Sequence, residues 1–139
     1  MGRRLLQSER NAELLVDVLR SLVAERKFTL HDFAVMPDHV HLLIEVVGEM
    51  TIEKALQFIK GRFSHRLSQE FGFKGEVWQR GFTEVQVTNK QSFEAHRMYI
   101  GENPVKAGLA ASAEEYPYCF RYLVRRKAEL AGDAGFGRG

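Results

Sequence analysis

Apolar residues recur along this chain with two different periods, and each change of period marks an element. Ser8 has the chemistry of a helix N-cap. Behind it Ala12, Leu15, Val16, Leu19, Leu22 and Val23 fall at helical spacing, which predicts a first helix ending near Arg26–Lys27 with one apolar face. The period then drops to two. Thr29 to Met36 reads as a strand, Pro37-Asp38 has turn chemistry, and His39 to Val47 reads as the partner strand of a hairpin. Gly48 to Met50 is a break. Thr51 is a second N-cap, and Ile52, Ala55, Leu56, Ile59, Phe63, Leu67 and Phe71 form the buried stripe of a helix running to about Phe71. After the loop from Gly72 to Gly75, the alternation of Phe82, Glu84 and Gln86 predicts an extended segment between Glu76 and Val87. Ser92 would cap a third helix from Phe93 to about Asn103. Pro104 disfavours helical backbone at the residue before it, so Asn103 sits at a helix edge. Pro104 to Gly108 is expected as one further turn closed by glycine. The pattern past Tyr116 is mixed, and no internal repeat is present.

The length of 139 residues suits a single core, expected over residues 1–127, with a disordered tail over 128–139. A chain that is 45% hydrophobic and 27% charged has the composition of an ordinary soluble domain. Its 20 basic and 18 acidic residues leave a formal charge of +2, too even to announce nucleic-acid binding. Any basic surface must come from local clustering. The single cysteine, Cys119, excludes an intramolecular disulfide and a multi-cysteine zinc site. No segment is apolar enough to span a membrane and the amino terminus lacks a signal-peptide core, so a cytoplasmic protein is expected.

The chemistry concentrates in two places. In Met36-Pro37-Asp38-His39-Val40-His41-Leu42-Leu43-Ile44 the strand period puts His39, His41, Leu43 and Glu45 on one face and Val40, Leu42, Ile44 and Val46 on the other. Two imidazoles on Cα atoms roughly 6.6 Å apart can converge on one metal ion or form a partly buried polar pair. On the third helix His96, Tyr99 and Asn103 stand at i, i+3 and i+7 and share a face, while Phe93 and Ile100 point elsewhere and can pack. Lys54, Arg62 and His65 flank the apolar stripe of the second helix, as a solvated face or as a phosphate-contacting one.

These residues resemble a family. The histidine segment is similar to the histidine–hydrophobe–histidine motif of single-strand transposases. Tyr99-Ile100-Gly101-Glu102-Asn103-Pro104-Val105-Lys106-Ala107-Gly108-Leu109 resembles the tyrosine segment of the REP-associated tyrosine transposases, and Val77-Trp78-Gln79-Arg80-Gly81-Phe82 looks like the same branch. The resemblance runs from about Phe28 to Tyr122. It implies an α/β (α+β) domain with a ferredoxin-like antiparallel sheet and helices on one face. It also implies an enzyme that cuts and rejoins single-stranded DNA at hairpin-bearing sites through a 5′-phosphotyrosine.

Carried over by position, Tyr99 becomes the nucleophile and His39, His41 and Asn103 become metal ligands, Asn103 standing where related transposases use glutamine. The implied cofactor is a divalent ion, Mg2+ or Mn2+. A phenol's ordinary pKa is about 10, so Tyr99 must lose its proton in the reaction. Hairpin DNA would be held by Lys54, Arg62, Arg66, Arg80 and Lys106, with Trp78 as core rather than a stacking platform. His96 matches no family role. The resemblance also implies a strand before the first helix, in the middle of the sheet, whereas Gly2-Arg3-Arg4 is a poor strand. The chain is truncated, or the remaining strands pair differently, or a partner supplies the edge; lower stability than a complete relative is expected, and self-association is favoured for a monomer or homodimer. Two other readings stay open: a hairpin-binding remnant that no longer cuts, and a metal-dependent hydrolase using activated water.

Overall fold

The structure is a computed structural model that describes residues 6, 8–37, 39–74, 77, 83–86, 100 and 102–135; for 83–86 and 128–135 the backbone alone is described. Helix α1 spans Glu9–Ala24, and Ser8 caps it by accepting from the Asn11 amide at 3.4 Å. It stops in a six-to-one turn. The Lys27 amide donates to the Leu22 carbonyl and the Arg26 amide to Val23, with Arg26 left-handed at φ 62°. Helix α2 spans Ile52–Phe71, is capped by the Thr51 hydroxyl, and ends at Gly72 with φ 69°. Both helices start where the capping residues predict.

Strand β1, Thr29–Met36, pairs antiparallel with β2, His39–Glu45, from Met36 opposite His39 to Thr29 opposite Glu45. The register slips between Leu30 and Asp32, which leaves His31 as the extra residue of a bulge. Strand β3, Thr83–Gln86, lies beside β2 in parallel, Val40 opposite Thr83 through Leu43 opposite Gln86. The sheet order is therefore β1-β2-β3, and the sheet is mixed where a purely antiparallel one was expected. The reason is the connection. A 20-residue helix between β2 and β3 carries the chain back to the end it left, so the next strand runs in the same direction. Strands β2 and β3 thus pair with each other directly. Among the described residues no strand precedes α1; Leu6 is buried and its amide donates to the Pro37 carbonyl at 3.0 Å.

Alternation along β1 and β2 feeds two cores. Phe33, Val35, Val40, Leu42 and Ile44 face α1 and α2, meeting Leu15, Leu19, Leu22, Ala55, Ile59, Phe63 and Leu67. Ala34, Met36 and Leu43 face the other way and are closed over by Ile100, Ala113, Tyr116 and Cys119. The two long helices thus share one face of the sheet, as expected, and the other face is covered by Ile100 and the segment from Ala113 to Cys119. The cover over the second face continues along the outer margin of β1. The Val35 amide donates to the Tyr118 carbonyl at 2.8 Å, and Ala34 bridges Cys119 in antiparallel fashion. A 3-10 turn, Ala113–Glu115, precedes this strip and helix α3, Phe120–Gly135, follows it. α3 runs through most of the stretch expected to be disordered. Ala128, Glu129, Leu130 and Ala131 are strong helix formers, and they carry the helix past Gly132.

Candidate active site

The histidine pair lies on the second face of β2. Period-two alternation places His39 and His41 beside Leu43, with Met36 opposite the first and Ala34 opposite the second. His41 is 2% exposed and His39 is half-buried. Their Nε2 atoms stand 2.9 Å apart, with the rings edge to face at 87°. At that distance one ring nitrogen can donate to the other, in the direction that the tautomers set. The same geometry suits a shared cation. Both nitrogens belong to a ligand type that divalent ions accept.

Further along the same face Glu45 holds His31, Nε2 to Oε1 at 2.7 Å, closing the far end of the hairpin. Among the described residues no three His, Cys, Asp or Glu side chains converge on one point. Asn103, the expected third ligand, offers an amide oxygen. Asn103 is half-buried inside a helical turn over residues 102–106 rather than at a helix edge, and Gly108 closes the turn at φ 75°, as expected. Three residues earlier Ile100 is fully buried in the core that holds Ala34, Met36 and Leu43. Tyr99, His96, Trp78 and Arg80 lie outside the described residues.

Two of the three expected DNA-contacting cations on α2, Arg62 and Arg66, reach towards α1. Arg62 makes two bonds to the Glu25 carboxylate, at 2.7 and 3.1 Å, and a third to the Ser21 hydroxyl at 3.1 Å. Arg66 bonds Asp17 and Glu70, each at 2.6 Å. The Arg62 guanidinium holds the Glu25 carboxyl below its ordinary value, and the two arginines are held above theirs by the same bonds. A phosphate would compete with these carboxylates for either guanidinium. Lys54 donates to the Glu49 carbonyl at 3.5 Å, and Lys106 pairs with Glu102 at 3.4 Å on an exposed surface. Asp17 and Ser21 on α1 and Glu25 just past its end recur every four residues, a spacing that could have pointed to the row.

Two groups beneath the site escaped the sequence reading. The Tyr116 hydroxyl donates to the Val35 carbonyl at 2.6 Å. Burial, with Cys119 and Tyr118 beside it, pushes this phenol up to about 12. Burial likewise raises the Cys119 thiol, whose Sγ donates to the carbonyls of Ala113 and Tyr116. Both groups stay protonated at neutral pH and serve packing rather than attack. The only local hint was the aromatic cluster Tyr116-Pro117-Tyr118.

The family model for IS200-like transposases matches residues 2–103. A REP-associated tyrosine transposase of Escherichia coli is 26% identical over 107 residues, covering 76% of this chain and 62% of its own. The transposase TnpA of ISDra2 from Deinococcus radiodurans is 34% identical over 68 residues, covering 48% of this chain and 49% of its own. The chain thus spans under two thirds of the length of these relatives. A solved structure of a REP-associated tyrosine transposase bound to a REP hairpin superimposes with a TM-score of 0.66 at 27% identity, covering 89% of this chain and 72% of that one. The fold around the histidine hairpin is that of these proteins, and the chain belongs to the IS200-like transposase family.

Proposed function

We propose that this protein nicks and rejoins single-stranded DNA at hairpin-bearing sites, with Tyr99 as nucleophile. The observation that carries the proposal is the convergence of the His39 and His41 Nε2 atoms at 2.9 Å on the sheet face that Ile100 helps to cover. The relative with a similar fold is bound to a REP hairpin, which makes hairpin DNA the substrate class to test here.

His39 and His41 would hold a divalent cation, Mg2+ or Mn2+, with Asn103 as third ligand; the two imidazoles and the amide suit either ion. When bound, the ion supplies charge stabilisation on the non-bridging oxygens of the scissile phosphate. The chain does the rest. The β1–β2 pairing sets the two imidazoles in register, and burial of His41 among apolar neighbours keeps it in one orientation. The Tyr99 oxygen attacks phosphorus, the bond to the 3′ oxygen breaks, and a 5′-phosphotyrosine and a free 3′-hydroxyl result. The covalent link conserves the phosphodiester energy for rejoining. Lys54, Arg62, Arg66, Arg80 and Lys106 are the cations proposed to contact the hairpin, the two α2 arginines by exchanging carboxylate for phosphate.

A labelled single-stranded hairpin incubated with the protein and Mn2+ tests this directly. A covalent protein–DNA adduct is expected on a denaturing gel, and chelator, Tyr99→Phe or His41→Ala should abolish it. Cleavage without an adduct would favour water as nucleophile, and cleavage undiminished in chelator would sink the metal role.

A further inference from the structure

We infer that Ile100 is a positioning residue for this strand transfer, its locked side chain setting where the tyrosine-bearing segment meets the histidine face. The inference rests on the proposed function and deepens it. Ile100 has no exposed surface, and its core contains Ala34, Met36 and Leu43. Two of those three are the register partners of the histidines, Ala34 opposite His41 and Met36 opposite His39. Leu43 follows His41 on the same face. Directly paired residues carry their Cβ atoms about 4.5–5.5 Å apart. The apolar patch that seats Ile100 therefore borders both imidazoles.

The seat also fixes a direction. Pro104, four residues after Ile100, is buried, so the two mark the inward side of this segment, and Asn103 stands half-buried beside them. Tyr99 is the residue joined to Ile100 by a peptide bond. Isoleucine branches at Cβ and holds one χ1 well strongly, so it passes on a position that a flexible side chain would blur. In-line attack is sensitive to such placement; a misplacement of about 1 Å costs on the order of a hundredfold in rate.

Ile59 supplies the control. It is 2% exposed, but it lies in the other core, between the sheet and α2. Ile100→Ala and Ile59→Ala remove the same atoms from equally buried sites, so both lose stability. A positioning role separates them. Single-turnover adduct formation and hairpin binding are measured for the parent and both variants at a temperature where all are folded. At saturating DNA, Ile100→Ala is expected to lose at least about tenfold in rate with the half-saturating DNA concentration unchanged within about twofold. Ile59→Ala should keep the parent rate, and Ile100→Val should restore most of it. Should Ile100→Ala fail to fold, Ile100→Met keeps the volume but not the branch, and its rate should still fall. Equal rates for the folded Ile100 variants and Ile59→Ala overturn the inference and leave the functional reading standing. A parent chain that forms no adduct removes the functional reading, and the inference with it.

Discussion

His39 and His41 were legible as a pair because the strand period alone decides which residues share a face, and that period was plain from Val40 to Ile44. Their partners follow from the two-residue turn at Pro37-Asp38, which sets Met36 opposite His39 and Ala34 opposite His41. Tyr116 was out of reach, because its hydrogen bond to Val35 spans 81 residues. That bond has a measurable consequence. Tyr116→Phe removes one buried hydrogen bond and is expected to cost about 1 kcal/mol in chemical denaturation. Titration adds a second signature. The folded-state pKa of about 12 lies above the ordinary value of 10, so this group's contribution is complete below pH 10 and fades as pH climbs towards 12. The alkaline fall in stability should therefore be shallower in Tyr116→Phe than in the parent. It should not vanish, because burial raises Tyr118 and Cys119 as well.

The helices were the most legible elements, because capping is local chemistry. Ser8 and Thr51 each precede a helix that begins at the next residue. The end of α1 shows a local compromise. Arg26 occupies the left-handed position that glycine fills after α2, where Gly72 adopts φ 69°. A residue with a Cβ pays about 1–2 kcal/mol there, and glycine gives back part of that relief as chain entropy in the unfolded state. Arg26→Gly is thus expected to stabilise the protein by about 0.5–1 kcal/mol, read as a raised midpoint in urea. Sheet order resisted the sequence for the opposite reason. The parallel pairing of β2 with β3 depends on the path of α2 over the first core, and no short pattern in residues 83–86 encodes it.

At the scale of the whole molecule, the family match and the folding unit have different limits. The match ends at residue 103, yet the second core takes Ala113, Tyr116 and Cys119 from beyond it. A chain cut after Gly108 should lose the cover over Ala34, Met36 and Leu43 and the hydrogen bonds along β1. It is expected to bind a hydrophobic dye and to melt without a sharp near-UV transition, while the full chain melts cooperatively. A cooperative melt of the shortened chain would show that the α1–α2 core suffices alone. The strip from Ala113 to Cys119 also ties two properties together. It roofs the histidine side of the sheet and seals the margin of β1 with one length of backbone. A substitution that lifts the strip to widen access for DNA would at the same moment bare hydrogen-bonding groups to neighbouring chains, so gains in turnover at this place come coupled to losses in solubility.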